Sequence, residues 1–141
     1  MVTVKDLDKK RIVQAITAAE RLTSGEIRVH VTDKCRLEPQ AAAKKVFEKL
    51  RMHRTAERNG VLIFVSLKER AFAVIGDRGI HEKVGQDFWV KVRDRMAAHF
   101  SSEGIEEGIL AGIGEAGQVL GRHFPRNKDD RNELSDEVTL G

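Results

Sequence analysis

The sequence predicts an α/β domain, a three-layer α/β/α sandwich with a small mixed β-sheet and elements in the order αβαββαα. Three observations predict this fold class. Residues 61–65 form an apolar run without a polar face, which is typical of a strand buried on both sides of a sheet. Residues 71–75 form a second apolar run after a short polar connection, which predicts an antiparallel hairpin. Apolar residues recur at helical spacing on both sides of these strands.

The remaining elements follow from periodicity. A first helix is expected to open near Thr3 and Asp6 and to continue to about residue 24. Residues 26–32 alternate apolar and polar, which predicts a strand with one more polar face. A second helix is expected from about Pro39, a third on the stripe that begins at Phe88, and a fourth from about Ile105.

The order of these elements predicts the topology of the sheet. The first two strands are expected to be parallel and joined by a right-handed crossover through the second helix. The third strand returns antiparallel beside the second. Because residues 61–65 have no polar face to show to water, helices are expected on both sides of the sheet.

Length and composition limit the classes of protein. The chain has 141 residues, 40% hydrophobic and 33% charged, which predicts one soluble globular domain. Its 25 Lys and Arg against 22 Asp and Glu leave a net charge of +3, too even to predict a nucleic-acid partner. Cys35 is the single cysteine, which excludes internal disulfides and cysteine-rich zinc sites. No segment resembles a leader peptide or a membrane span, so we expect a cytoplasmic protein without membrane insertion.

Domain organisation is expected to be a single domain over residues 1–125 and a polar acidic tail over residues 126–141. The tail holds five acidic and three basic residues, a composition usually found in solvated segments. The alternative is that the tail docks as an edge strand through its apolar residues, Leu134, Val138 and Leu140.

Glycines are regularly spaced near the C-terminus. Residues 112–117 match the dinucleotide-binding pattern G-x-G-x-x-G, which requires a preceding strand. The pattern here lies inside a helical period instead. Gly104, Gly108 and Gly112 recur at every fourth position, which predicts a bare helix face that packs closely against the sheet or another helix and binds no nucleotide.

Oxygen-bearing side chains are expected to meet at one end of the sheet. Glu26 and Asn59 stand at the starts of the two parallel strands, and Asp77 follows the third strand. Asp87, in the next loop, is a further candidate ligand. Oxygen ligands without Cys or His suit Ca²⁺ or Mg²⁺. The alternative is that these are ordinary turn residues.

The sequence resembles the TPM domain family, in its short bacterial branch. The resemblance rests on S-G-E-I-R-V at 24–29, N-G-V-L-I-F-V at 59–65 and G-D-R-G-I at 76–80, with further similarity from residue 88 to residue 125. It implies a helix–sheet–helix sandwich over about residues 12–125. Many relatives carry a signal peptide and a membrane anchor, and neither is recognised here.

The resemblance implies a divalent-metal-binding domain with phosphatase or nucleotide-hydrolysing activity on a small phosphorylated substrate. Carried over by position, the family pocket corresponds to Glu26, Asn59 and Asp77, with Asp87 matched less closely. Arg58 stands where many relatives have an acid, which favours weaker metal binding or anion binding.

Within that hypothesis, Arg58 and Arg78 would bind phosphate and offset its developing charge. No residue stands out as a general base, and His81 is the nearest candidate. The alternative function is a non-catalytic metal-binding interaction module that acts in assembly or repair.

Overall fold

The computed structural model of the chain describes residues 3–102, 104–126 and 138–140. The predicted order of helices and strands is confirmed, and a fourth strand follows. The elements are α1 (Lys9–Glu20), β1 (Glu26–Thr32), α2 (Pro39–Lys49), β2 (Gly60–Ser66), β3 (Ala71–Gly76), α3 (Arg78–Ser102), α4 (Ile105–His123) and β4 (Val138–Leu140), with 3-10 turns at Val4–Asp6 and Met52–Arg54.

The four strands form one mixed sheet in the order β3-β2-β1-β4. As predicted, β1 and β2 are parallel and β2 and β3 are antiparallel. β4 lies parallel to β1 on its other side. The starts of β1 and β2 and the end of β3 therefore share one end of the sheet, which we call the polar end.

Helices cover both faces of the sheet, as predicted. On one face, which we call the α4 face, α1, α3 and α4 form the larger core cluster with alternate strand residues, among them Ile27, Val29, Val31, Val61, Ile63 and Val65. On the other, which we call the α2 face, Ala43 and Phe47 of α2 pack with the intervening strand residues, among them Leu62, Phe64 and Ala73.

The boundaries of two helices differ from the prediction. Thr3 and Asp6 cap a separate 3-10 turn, and α1 begins only after Asp8, whose carboxylate accepts the N–H of Arg11 at 3.1 Å. Helix α3 begins at Arg78 rather than near residue 88, with a kink at Gly85, where φ is 66°. Asp87, expected in a loop, is therefore helical. Periodicity did not predict the first turns of α3, which form because Asp77 caps the start of this helix.

Gly108 and Gly112 confirm the close packing predicted for the glycine face, whereas Gly104 was wrongly included, because it precedes α4 with φ of 103° and a Cβ there would meet open space. A Cβ at Gly112 would lie 2.6 Å from Met96 Cγ, and one at Gly117 would lie 2.7 Å from Ala19 Cβ. These glycines let α3 and α1 approach α4. No strand leads into the 112–117 segment, because it lies within α4, so the nucleotide-binding pattern lacks the context it needs.

Residues 138–140 of the tail form the strand β4, which pairs with β1. For these residues the structure therefore agrees with the alternative prediction that the tail docks as an edge strand. Val138 pairs with Val29 and is buried in the larger core cluster. A wholly solvated tail was therefore the wrong expectation for these residues, because β1 offers an open edge to pair with. Leu134 lies outside the described residues.

Among the residues described here, no helix combines the length and the apolar character needed to cross a membrane.

Candidate functional site

The backbones of the three predicted ligands meet at the polar end. Glu26 lies opposite Gly60 in the parallel ladder, and its N–H points to the carbonyl oxygen of Asn59 at 3.4 Å. The N–H of Asp77 donates to the carbonyl oxygen of Gly60 at 2.9 Å. Glu26, Asn59 and Asp77 are all buried, with exposed fractions of 2%, 1% and 6%. The convergence derived from strand topology is thus present in the fold.

The side chain of Asn59 turns to a different set of partners. Its Nδ2 donates to Ser24 Oγ at 3.3 Å and to Glu57 Oε2 at 3.2 Å, and Ser24 Oγ donates to the same Glu57 oxygen at 3.1 Å. The Oδ1 atom of Asn59 is buried and has no hydrogen-bond partner in the described part of the chain. Asn59 thus presents one buried amide oxygen whose hydrogen-bonding capacity is unused.

The carboxylate of Asp77 is fully engaged by nitrogen donors. Arg58 donates to it twice, from Nε to Oδ2 at 2.6 Å and from Nη2 to Oδ1 at 2.8 Å. The backbone N–H of Arg78 donates to Oδ1 at 2.8 Å. Asp77 therefore begins α3 and fixes Arg58, and the bond to its carboxylate raises the pKa of Arg58 above the ordinary value.

The loop that carries Arg58 is pressed against the first turn of α3. Arg58 has a left-handed backbone with φ of 52°, and its carbonyl oxygen accepts the N–H of Gly79 at 2.9 Å. A Cβ at Gly79 would lie 2.1 Å from the carbonyl oxygen of Glu57 and 2.6 Å from that of Arg58. Only glycine permits this approach, which holds the guanidinium beside Asp77.

A cleft of about 740 Å³ extends from Arg58 along β3. His53, His81 and Trp89 also line it. Trp89 Nε1 donates to His81 Nδ1 at 3.3 Å, so the neutral imidazole of His81 carries its proton on Nε2. The indole lies over Gly76, where a Cβ would be 1.8 Å from Trp89 Cη2. Cations and histidines thus surround one end of the cleft.

The fit of a divalent cation depends on the chemistry of these donors. Carboxylate and amide oxygens are suitable ligands for Ca²⁺ and Mg²⁺, and the unused Oδ1 of Asn59 is such an oxygen. No group of three or more His, Cys, Asp or Glu side chains gathers around a common point within the described residues. For Asp77 to bind a cation, Arg58 must first release it.

The other predicted residues lie at the margin of the polar end. Asp87 is exposed on α3, and no hydrogen bond or ion pair within the described residues joins it to Asp77. Arg78 is exposed at the first position of α3. Only its backbone N–H reaches the carboxylate of Asp77.

Sequence reasoning missed Glu57, which links Ser24 to Asn59. It also lines a second cavity of about 360 Å³, together with Glu82 and His123. The signal was present in the turn at 57–60. In the expected family pattern an acidic residue directly precedes the asparagine, whereas here the acid is Glu57, two residues before Asn59.

Comparisons with known proteins agree with this fold. The family model described as the TPM domain matches residues 3–119. The NMR structure of the BA42 protein from the psychrophilic bacterium Bizionia argentinensis is similar over the full length of both chains, with 37% identity and a TM-score of 0.92. The N-terminal domain of a protein from P. gingivalis is similar in fold over 90% of this chain and 98% of its own, with 18% identity and a TM-score of 0.62. No curated protein matches the chain significantly.

Proposed function

The chain belongs to the TPM domain family, and from its polar end we propose that it binds Ca²⁺ or Mg²⁺ together with the phosphate group of a small phosphorylated substrate, and hydrolyses the phosphate ester. The observation that carries this proposal is the bidentate pair of Arg58 and Asp77, in which Arg58 lines the cleft. The guanidinium of Arg58 is suited to bind an anion, the carboxylate of Asp77 is suited to bind a cation, and the two groups are in direct contact.

A phosphate group competes with Asp77 for Arg58. The guanidinium presents parallel donors that fit a phosphate as well as a carboxylate. Its side chain is 34% exposed, whereas that of Asp77 is 6% exposed, so Arg58 is the partner that can turn toward a ligand in the cleft. Once it does, the carboxylate of Asp77 is left without its counterion.

A divalent cation would restore that balance. Glu26, Asn59 and Asp77 are the proposed ligands, and Asp87 would have to approach from α3. When bound, the cation would polarise a phosphoryl oxygen and orient a water molecule. Cation and phosphate binding are therefore expected to be cooperative, because each takes one partner of the Arg58–Asp77 pair.

The chain's own residues supply the remaining roles. Arg58 would bind phosphoryl oxygens and offset their charge, with Arg78 on the adjacent turn as a second cation. His81 holds its proton on Nε2 through the bond from Trp89. His81 also lines the cleft, and its Nε2–H would donate a hydrogen bond to a phosphoryl oxygen.

Calorimetric titration with CaCl₂ and MgCl₂, with and without inorganic phosphate, tests the binding. We expect weak cation binding, on the order of 10⁻⁵–10⁻³ M, that tightens when phosphate is present. Asp77→Asn should weaken it at least tenfold while its side-chain oxygen still caps α3. Arg58→Gln should abolish the cooperativity, whereas Arg54→Gln, an exposed arginine of the neighbouring 3-10 turn, should not.

Turnover of p-nitrophenyl phosphate and ATP tests the chemistry. Hydrolysis should require the cation and fall in Asp77→Asn and Arg58→Gln but not in Arg54→Gln. No cation binding in the wild type at millimolar concentration, or unchanged binding in Asp77→Asn, would contradict the proposed site. Asp87→Asn and Arg78→Gln show separately whether those two residues contribute.

A non-catalytic metal-binding interaction module is the second candidate function. One observation favours it: neither serine nor cysteine is among the described residues that line the 740 Å³ cleft, so no side-chain nucleophile of those types is available there. Cation and phosphate binding without turnover would support this candidate over the phosphohydrolase.

A further inference from the structure

The outer edge of β3 is a strand edge without a partner in the described part of the chain. β3 is the first strand in the order β3-β2-β1-β4 and pairs on one side with β2. At the opposite edge of the sheet, β4 pairs with β1 at residues 29–31. The sheet of the described residues therefore ends at the six-residue strand β3 on one side and at the three-residue strand β4 on the other.

The hydrogen-bonding groups on this edge follow from the register. Asp77 donates its N–H to Gly60, and Val61 pairs with Gly76. Because bonded and non-bonded pairs alternate in an antiparallel ladder, Phe72, Val74 and Gly76 turn their N–H and C=O groups away from β2. Within the described residues, no backbone hydrogen bond reaches these groups.

The edge also lacks the usual protection against pairing. Exposed edges are normally interrupted by proline, by inward-pointing charges or by bulges. β3 reads A-F-A-V-I-G, with neither charge nor proline over six residues, and its register with β2 runs without a bulge. An edge of this kind is a template for another strand.

Walls on both sides suit an added strand. The 740 Å³ cleft surrounds the edge, with Phe47 of α2 on one side and Trp89 and Val90 of α3 on the other. Side chains of an extended segment alternate between the two faces, so each set would meet one wall. The charged groups that line the cleft favour an acidic segment: they are Lys44, Arg93, Glu48 and Arg58, of which Arg58 is paired with Asp77.

We propose that β3 binds an extended acidic segment of a partner protein by strand addition. Backbone bonds to Phe72 and Val74 supply affinity, and the mixed apolar and charged walls favour a segment that combines apolar and acidic residues. Strand addition does not require phosphate hydrolysis, but the added segment and a phosphate ligand would share the cleft and Arg58.

Synthetic heptapeptides test the proposal on the wild-type protein. The probe alternates valine and glutamate, and one control alternates valine and lysine. Two further controls are the probe with one or the other set of alternate amides N-methylated, which gives two methylation registers. We expect the probe to shift the amide NMR signals of Phe72 and Val74, the lysine peptide to bind at least tenfold more weakly, and N-methylation of the amides facing β3 to abolish binding. Equal binding of the N-methylated probe in both methylation registers, or no binding of the probe, would overturn strand addition.

A protein variant gives a second test. Val74→Pro removes an outward N–H without touching the ladder to β2, since proline is tolerated on the free side of an edge strand. Val74→Pro should weaken binding of the probe at least tenfold, whereas Val74→Ala, which keeps the N–H, should weaken binding less. Equal effects of the two variants would contradict backbone pairing. Concentration-dependent dimers that Val74→Pro dissolves would identify a second copy of the chain as the occupant and overturn the proposal of a separate partner.

Discussion

Three α-helices cover the α4 face of the sheet, whereas in the described part of the chain the core of the opposite face contains one α-helix, α2, and Met52 of the 3-10 turn after it. The residues that β1 directs to the two faces differ accordingly. Ile27, Val29 and Val31 enter the apolar core of the α4 face, while Glu26, Arg28 and His30 alternate with them and point to the α2 face. The ring of His30 stacks on Phe64 there, with centroids 5.8 Å apart.

The difference teaches where this fold tolerates polar chemistry. On the α4 face, glycines bring the helices close together, and the core cluster between helices and sheet is apolar. On the α2 face, one helix leaves the ends and the edge of the sheet less covered, so Arg58 and Asp77 meet at the polar end, and the cleft runs along the β3 edge between α2 and α3. Stability should therefore depend most on the α4 face, and pH and ligands should act through the α2 face.

The largest effect is expected from overfilling the α4 face. Gly112→Leu would press a side chain into Met96 and Ile63 and should lower the free energy of unfolding by about 1–3 kcal/mol. Urea denaturation measures it. Gly114→Ala is the matched control, because a Cβ there meets open space, and it should leave stability unchanged or raise it by up to about 1 kcal/mol. Full stability of Gly112→Leu with loss of dinucleotide binding would support the nucleotide pattern instead.

A smaller effect is expected where β4 joins the same core. Val138 is 5% exposed, whereas Leu140 is 51% exposed. Val138→Ala should therefore lower the free energy of unfolding by about 1–2 kcal/mol through lost apolar burial, and Leu140→Ala should have little effect. Equal, negligible changes in both variants would mean that β4 contributes no stability, as expected of a solvated tail.

The smallest effect is expected on the α2 face, from His30. Burial lowers its pKa below the ordinary value of 6.5, and the charge of Lys49 lowers it further. His30 therefore binds a proton more readily in the unfolded chain than in the folded protein. Its contribution to stability is fully present above about pH 7 and is lost as the pH falls below 6.5 toward the pKa of the folded state.

Melting curves at pH 7 and pH 5 measure this contribution. Because the ring is half-buried, we expect it to lower Tm by about 1–3 °C at the lower pH. His30→Gln should remove this part of the pH dependence, whereas His123→Gln, an exposed histidine at the end of α4, should retain it. The same pH dependence in His30→Gln as in the wild type would contradict the assignment.

Much of the fold was determined by the sequence alone, because local patterns carry it. The apolar run at 61–65 identified β2, the short connection after it identified the hairpin to β3, and the spacing of Gly108 and Gly112 identified the close-packed face of α4. Parallel β1 and β2 then brought Glu26, Asn59 and Asp77 to one end of the sheet, since strand direction alone decides which ends meet.

Tertiary structure decided how those residues are used. The pairing of Arg58 with Asp77, the bond of Asn59 to Glu57, and the docking of β4 on β1 join segments far apart in the chain or depend on loop geometry. The cleft along β3 exists only because α2 and α3 stand on either side of that edge. Such contacts depend on where side chains meet after packing, and hydrophobic periodicity and residue spacing do not encode that position.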